Sequence, residues 1–516
     1  MKKIHILIGI FIISLTTACD NEFLEKQPLN SLTPEAFYAN GDNLKTGLVG
    51  VYDALQSENN FGKLTDLDGI TDNGLHFRYE TELIDFAKGN AYPNVTQKFA
   101  KYYQGGYQLI QRANLLLDNI NAPGTITPAV RTTIEAEARA LRALGYMRLV
   151  YFYGDVPLIT SFTSLSEIVN VSRTPRTQVV DFIINELKFA ADNLATTPAS
   201  NEKGRFTKQA ALAFRAKVLL YEARLGNKPF SEALTAINEV ITTADAIGAG
   251  LYLSTTPTNG LANFEGLFAL ANIDNKEILF ATKNNNLDRG TNLYTYFAAG
   301  GGNLSVSVHT NLVNDFYCTD GLPITTSPLF NASIPYTNRD PRLKASISYP
   351  SDTYSTGTQM LPFNGNTTIG VLQTNFAIKK MTTTNGLAQN QGQLDFPLMR
   401  YADLLLMLAE AENEVNGPTT VAYNAINRVR SRAGVANVTS GLTQSSFRNE
   451  VIHERRVEFA FEGQRWLDLV TLGLANQKIN GINELGRVFI PNKQELFPIP
   501  QSERDLNPNL SQNQGY

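Results

Sequence analysis

Between Arg131 and Tyr153 the apolar residues Ile134, Ala138, Leu141, Leu144, Met147 and Tyr151 recur at every third or fourth position. That is the period of an amphipathic helix, and a helix this long needs other helices along its flank to cover it. Glu135 and Arg139, four residues apart, pair on its wet side, and Gly154-Asp155-Val156-Pro157 ends it. The same period appears over residues 43–60, 97–120, 177–194 and 230–246. Thr207 can cap a further helix that carries Leu212, Ala216, Leu219 and Ala223 on one face and stops near Gly226. Late in the chain three more follow: Tyr401 to Val415 before Gly417-Pro418, Thr420 to Ala433 before Gly434, and Thr443 to Glu462 before Gly463. Short, tightly joined helix pairs are the unit of helical repeat proteins. No tetratricopeptide consensus is visible at a 34-residue period, so such repeats are degenerate.

The middle of the chain differs. Residues 254–395 are rich in Gly, Asn, Thr, Ser and Pro, and their helical period fades. Glu277–Ala281 and Asn375–Lys379 read as short strands. A tract this long is not one bare loop; it predicts an irregular excursion with small helices and strands. The last 25 or so residues show no helical period, and Pro498, Pro500 and Pro508 argue against a helix there. Phe497, Ile499, Leu506, Leu510 and Tyr516 predict a tail laid across the domain.

The amino terminus has two lysines, an apolar run from Ile4 to Ile13, and small residues ending at Cys19. This is the layout of a signal peptide. The run is shorter than the roughly 20 residues a spanning helix needs. The ending resembles the lipobox of bacterial lipoproteins, with Thr16 where leucine is usual. That resemblance implies cleavage after residue 18 and acylation of Cys19. With Cys19 acylated, Cys318 stands alone, so no intramolecular disulfide is expected and stability must come from a large core. Hydrophobic residues at 43 % make one feasible, and the net charge of −4 lacks the basic excess of a nucleic-acid binder.

Motifs of catalysis are incomplete. There is no Gly-x-Ser-x-Gly elbow and no phosphate-binding glycine loop. His453-Glu454 opens a zinc motif that Val457 breaks. Asp66-Leu67-Asp68-Gly69 departs from a calcium loop at Ile70, Thr71 and Phe77, which leaves Asp66, Asp68 and Asp72 as a looser calcium set. No cofactor is expected. The densest charge cluster runs from Glu450 to Asp468. Glu450, Glu454 and Glu458 share a helix face and need cations against them; Arg455, Arg456 and Arg465 are the nearest. The cluster reads as a structural ion network with Phe459, Phe461 and Trp466 packed around it, rather than as a glycosidase carboxylate pair.

Glu454-Arg455-Arg456-Val457-Glu458-Phe459 followed by Glu462-Gly463-Gln464-Arg465-Trp466-Leu467-Asp468-Leu469 resembles a signature of the SusD/RagB family, outer-membrane lipoproteins of the Bacteroidetes phylum. Further matches in order are Glu137–Ala143 leading to Tyr153–Leu158, Gly204–Thr207, Asn338–Arg342, Met399–Leu406, Leu496–Pro500 and Asn507–Asn513. The resemblance implies a mostly α fold, a scaffold of four degenerate tetratricopeptide-like units with an irregular, loop-rich ligand-binding subdomain containing small β elements. The implied organisation is a signal peptide 1–18, a lipidated tether 19–35 and a SusD-like domain 36–516. Within that domain the scaffold takes mainly 36–60, 97–250 and 398–475, the ligand-binding excursions 61–96 and 251–397, and the tail 492–516. The implied role is non-catalytic: a surface lipoprotein anchored in the outer membrane binds a nutrient, usually an oligosaccharide, for a SusC-like TonB-dependent transporter. Alternatives are a binder of peptides or other nutrients in the same system, and a glycosidase.

A sugar site needs aromatic rings for apolar sugar faces and polar groups for hydroxyls. Trp466 belongs to the scaffold signature, so Tyr and Phe must serve. Two segments combine aromatics with amides and charges: Asp72–Tyr79, and Asn292–Phe297 before Gly300-Gly301-Gly302. The expected ligand set is Asp72, Asn73, Arg78, Tyr79, Tyr294 and Tyr296. Tyr294 and Tyr296 would share a face in a strand.

Overall fold

The computed structural model describes residues 33–516 except 91, 93, 95, 96, 199–201, 256–258, 286–289, 291, 300–302, 356–359, 364, 365, 368, 369, 372, 373, 383–391, 483 and 485. The expected signal peptide, Cys19, nearly all of the tether and the Gly300-Gly301-Gly302 run lie outside the described residues.

The protein is mostly α. Helices α1 (Leu44–Gln56), α2 (Lys98–Asp118), α3 (Pro128–Tyr153), α4 (Arg176–Asn193), α5 (Lys208–Arg224) and α6 (Phe230–Ala246) pack each against the next. After the excursion the stack resumes with α7 (Tyr401–Asn416) on α6, and α8 (Thr420–Ala433) and α9 (Gln444–Glu458) on α7. Thr127, Thr207, Thr419 and Thr443 each accept an amide N–H at a helix start, which stabilises each terminus by about 1 kcal/mol. The long helix starts three residues earlier than its apolar period indicates, because Thr127 caps it and Pro128 takes the first turn.

The strands are short and antiparallel, and all but the first, which lies between α1 and α2, fall between α6 and α7: β1 (Gly74–His76) with β3 (Val306–Val308), β2 (Ile278–Thr282) with β6 (Phe396–Arg400), and β4 (Ile347–Ser348) with β5 (Ala377–Ile378). Such small sheets are not stable alone. They are fastened to the helices by a buried ion network. Arg400 reaches Glu277 at 2.6 Å, Glu458 at 2.9 Å and Glu462 at 2.7 Å. Arg342 holds Glu454 at 2.6 Å, Glu458 at 2.9 Å and Asp340 at 2.8 Å. Lys380 meets Glu462 at 2.6 Å, and Arg432 bridges Glu277 and Glu458. A second set ties Arg455 to Asp403 and Asp468, Lys217 to Asp403, and Arg224 to Glu410 and Asp468.

The acidic face of α9 is therefore neutralised by Arg342, Arg400, Arg430 and Arg432, not by Arg455, Arg456 and Arg465 as the sequence suggested. At about 100° per residue, Arg456 lies about 200° round the helix from both Glu454 and Glu458, while Arg455 is committed to Asp403 and Asp468. Arg456 and Arg465 go to Asp72 instead. Helix α9 also ends at Glu458, earlier than expected. Phe461 and Gly463 take left-handed backbone, φ +66° and +72°, and their N–H groups donate to Asp68. Trp466 lies on a separate helix, α10 (Arg465–Thr471), fully buried with its ring centroid 5.8 Å from that of Phe497. The tail crosses the domain with Phe497, Ile499 and Leu510 buried, but Leu506, expected as a further anchor, is exposed. It contains one helix the prolines had seemed to forbid, Gln501–Leu506, because Pro500 sits before its first turn and Pro508 beyond its end.

Burial raises the proton affinity of Asp72, Asp403 and Glu458, but the cations beside them outweigh it and hold all three carboxyls well below the usual range. A depressed folded value gives stability that is present above the unfolded value, about 4, and lost as pH falls below it. Asp68 acts oppositely: burial pushes it up to about 6 despite three N–H donors, so its contribution falls as pH rises from about 4 to 6. The urea midpoint is expected to pass through a shallow maximum between pH 4 and 6 and to drop steeply below pH 4, with Asp68→Asn removing the decline above the maximum. A midpoint unchanged down to pH 3 would contradict this reading.

Candidate ligand-binding face

The two segments singled out in the sequence meet. β1 pairs with β3 in the register Gly74↔Val308, Leu75↔Ser307 and His76↔Val306. Beyond the ladder, Phe77 N–H donates to Ser305 O at 3.1 Å, and Ser305 N–H donates to Tyr296 O at 2.6 Å. The turn carrying Arg78 and Tyr79 is thereby placed beside the helix Leu293–Phe297.

Within that frame the expected residues divide. Tyr79 is 59 % exposed and has φ +68°, a backbone region uncommon for a bulky side chain and a marker of functional positions. Arg78 is half-buried, its guanidinium 5.3 Å from the Phe77 ring centroid. Tyr296 is half-buried, with the Lys63 ammonium 3.2 Å from its ring centroid. Lys63 also lies 3.4 Å from Glu80, which Lys98 meets at 3.2 Å, and Lys98 holds the buried Asp66 at 2.8 Å. This chain of charges fixes the cation over the ring.

Asp72, Asn73 and Tyr294 are not presented. Asp72 is buried and takes a two-point contact from Arg465 at 2.8 and 2.7 Å. Buried Asn73 donates to Asp68 and accepts from Arg456. Both fasten this loop to α9 and α10. Tyr294 is buried, and the pair it forms with Tyr296 lies in a helix, where a two-residue step turns about 200° and puts the rings on different faces. Asp66, Asp68 and Asp72 are likewise separate: each already has cations or N–H donors of its own.

Beside Tyr296 opens a cavity of about 440 Å³, lined by Asp53, Glu58, Lys63, Gln108, Arg112 and Asn292 among others. Asn292 Nδ2 donates to Glu58 at 2.6 Å, and Arg112 Nη1 donates to Asp53 at 2.8 Å. These polar groups come from the end of α1 and the turns after it, from the middle of α2, and from Asn292 just before the helix Leu293–Phe297. Sequence reading missed Asp53, Gln108 and Arg112 because they are ordinary wet-face residues of amphipathic helices, and Glu58 because it is an ordinary polar residue of the turn after α1. Only the tertiary meeting of three elements makes a pocket of them. The combination of partly exposed rings with convergent amides and charges suits a hydroxyl-rich ligand.

A model described as the SusD family matches residues 276–516, and a model described as starch-binding, associating with the outer membrane, matches residues 22–220. The chain belongs to the SusD/RagB family. It is 26 % identical to a SusD-like protein of Formosa agariphila over 100 % of both chains. To the starch-binding protein SusD of Bacteroides thetaiotaomicron it is 35 % identical, over 24 % of this chain and 22 % of that one. Among solved structures, a SusD-like protein of Bacteroides fragilis has a TM-score of 0.80 at 21 % identity, covering 95 % of this chain and 100 % of that one. A laminarin-binding SusD-like protein has a TM-score of 0.73 at 23 % identity, covering 92 % and 100 %. Among the described residues no helix is long and apolar enough to cross a membrane.

Proposed function

We propose that this protein is a glycan binder anchored through Cys19 to the outer face of the outer membrane, and that it delivers oligosaccharide to a SusC-like TonB-dependent transporter without chemistry of its own. One observation carries the reading: Lys63, whose ammonium lies 3.2 Å from the Tyr296 ring centroid, lines a polar cavity, and the exposed Tyr79 follows the β1 strand that is linked to Tyr296 through Ser305. Family membership supports it, as do a starch-binding and a laminarin-binding relative. The helical stack offers a broad lateral surface for the transporter, and the loops take the ligand.

Calorimetry of the soluble chain against laminarin, starch and other polysaccharides tests the binding claim. Tyr296→Ala and Tyr79→Ala are each expected to weaken the best ligand about tenfold, the equivalent of about 1.4 kcal/mol, with the melting temperature unchanged. Unaltered affinity in both variants would move the site elsewhere, and turnover of the bound glycan would make the protein an enzyme. For the anchor, Cys19→Ala is expected to leave the precursor uncleaved or to release the protein from the membrane fraction. A processed, membrane-bound Cys19→Ala protein would overturn that part.

A further inference from the structure

A second cavity, of about 380 Å³, lies between the start of α5, the end of α6 and β2. Its lining includes Gln209, which is 2 % exposed and has no hydrogen-bond partner among the described residues for either Oε1 or Nε2. A buried amide left without partners is costly, because it has given up its hydrogen bonds to water and gained none in return. Gln209 is two residues beyond the Thr207 cap, and that cap is filled by the threonine's own hydroxyl accepting Ala210 N–H, so the helix end makes no use of the amide.

The remaining walls say what kind of ligand fits. Lys203 and Lys283 share Asp274, at 3.0 and 2.8 Å, Lys283 also holds Asp395, and Arg205 lies 3.3 Å from Glu137. Among the lining cations only Lys276, which is exposed, has no ion pair among the described residues. There is little net charge left to attract an anion. On the other side Ile278, Phe280 and Ile247 supply apolar surface. A neutral ligand with an apolar face and vicinal hydroxyls matches an amide that both donates and accepts.

The two cavities are also neighbours. Lys283 lines this one and Asn284 the other. The Arg205 guanidinium lies 5.6 Å from the ring centroid of Tyr52, next to Asp53 of the first cavity. A chain long enough to reach from one to the other gains from both.

The geometry points to a second sugar subsite, in which Gln209 hydrogen-bonds the hydroxyls of a neutral sugar residue. It rests on the proposed glycan-binding role only in calling the ligand a sugar. The test is a crystal of the wild-type chain soaked in concentrated glucose. Glucose is expected in the cavity with a hydroxyl within hydrogen-bond distance of the Gln209 amide. The same soak of Gln209→Leu is expected to leave it empty, as is that of Thr197→Trp, which fills the cavity from an exposed lining position. Only water in the wild-type cavity, or glucose equally present in the folded Gln209→Leu protein, overturns the subsite. Polysaccharide binding with an empty cavity would refute this inference alone; a filled cavity in a chain that binds no polysaccharide would refute the proposed function alone.

Discussion

Arg400→Ala is expected to lower unfolding stability by about 3–5 kcal/mol, the usual result of removing one partner from a buried ion pair, and a fully formed protein is expected to be recovered poorly. The guanidinium is buried and contacts three carboxylates, from the β2 edge, from α9 and from the turn after α9. Without it, Glu462 retains Lys380, and Glu277 and Glu458 retain Arg432, but no cation binds all three elements together. The damage should be structural. Arg112→Ala provides the contrast: its side chain is 39 % exposed and pairs with a partly exposed Asp53, so its stability cost is expected at about 1 kcal/mol or less. Since Arg112 lines the cavity beside Tyr296, its effect should fall on ligand affinity. Urea titrations of both variants decide the matter. An Arg400→Ala midpoint as close to wild type as that of Arg112→Ala would show that the network does not hold the sheets to the helices.

The contrast also shows what a sequence can reveal. Helices α3 to α8 were readable because apolar period and threonine caps are local signals, and Phe230–Ala246 and Thr420–Ala433 emerge with the limits their residues indicate. The Glu454–Leu469 cluster was recognisable as structural, yet its partners were not, because Arg342 and Arg400 lie more than fifty residues away and arrive through the fold. For the proposed ligand face the sequence brings out two segments, 72–79 and 292–297, and these are joined through β1, β3 and the Ser305–Tyr296 hydrogen bond. At the level of residues the face was not legible. Asp72 and Asn73 look like ligand groups in a polar loop, but Arg456 of α9 and Arg465 of α10 draw them inward. Lys63, which sets the position of the Tyr296 ring, carries no local signal at all.

Gly463→Ala is expected to cost about 2–5 kcal/mol, combining a left-handed backbone penalty of about 1–2 with an overpacking penalty of about 1–3. The glycine has φ +72°, and a Cβ built on it would lie 2.5 Å from Leu64 Cβ and 2.7 Å from Leu64 O. Backbone cannot yield as a flexible side chain does, so the segment starting at Leu64 must move. That segment carries Asp66 and Asp68, and Asp68 accepts the Gly463 N–H itself at 3.0 Å. Lys63 is the next residue back, so a displaced Leu64 is expected to pull the ammonium from the Tyr296 ring and weaken ligand binding together with stability. Gly441→Ala separates the two penalties. Its φ is +82° and nothing lies within 4 Å of the added Cβ, so it should show only the backbone cost of about 1–2 kcal/mol and leave affinity untouched. Equal destabilisation by the two substitutions would mean that the close approach of Gly463 to Leu64 does not constrain the fold, and the link from the α9–α10 turn to the ligand face would fail with it.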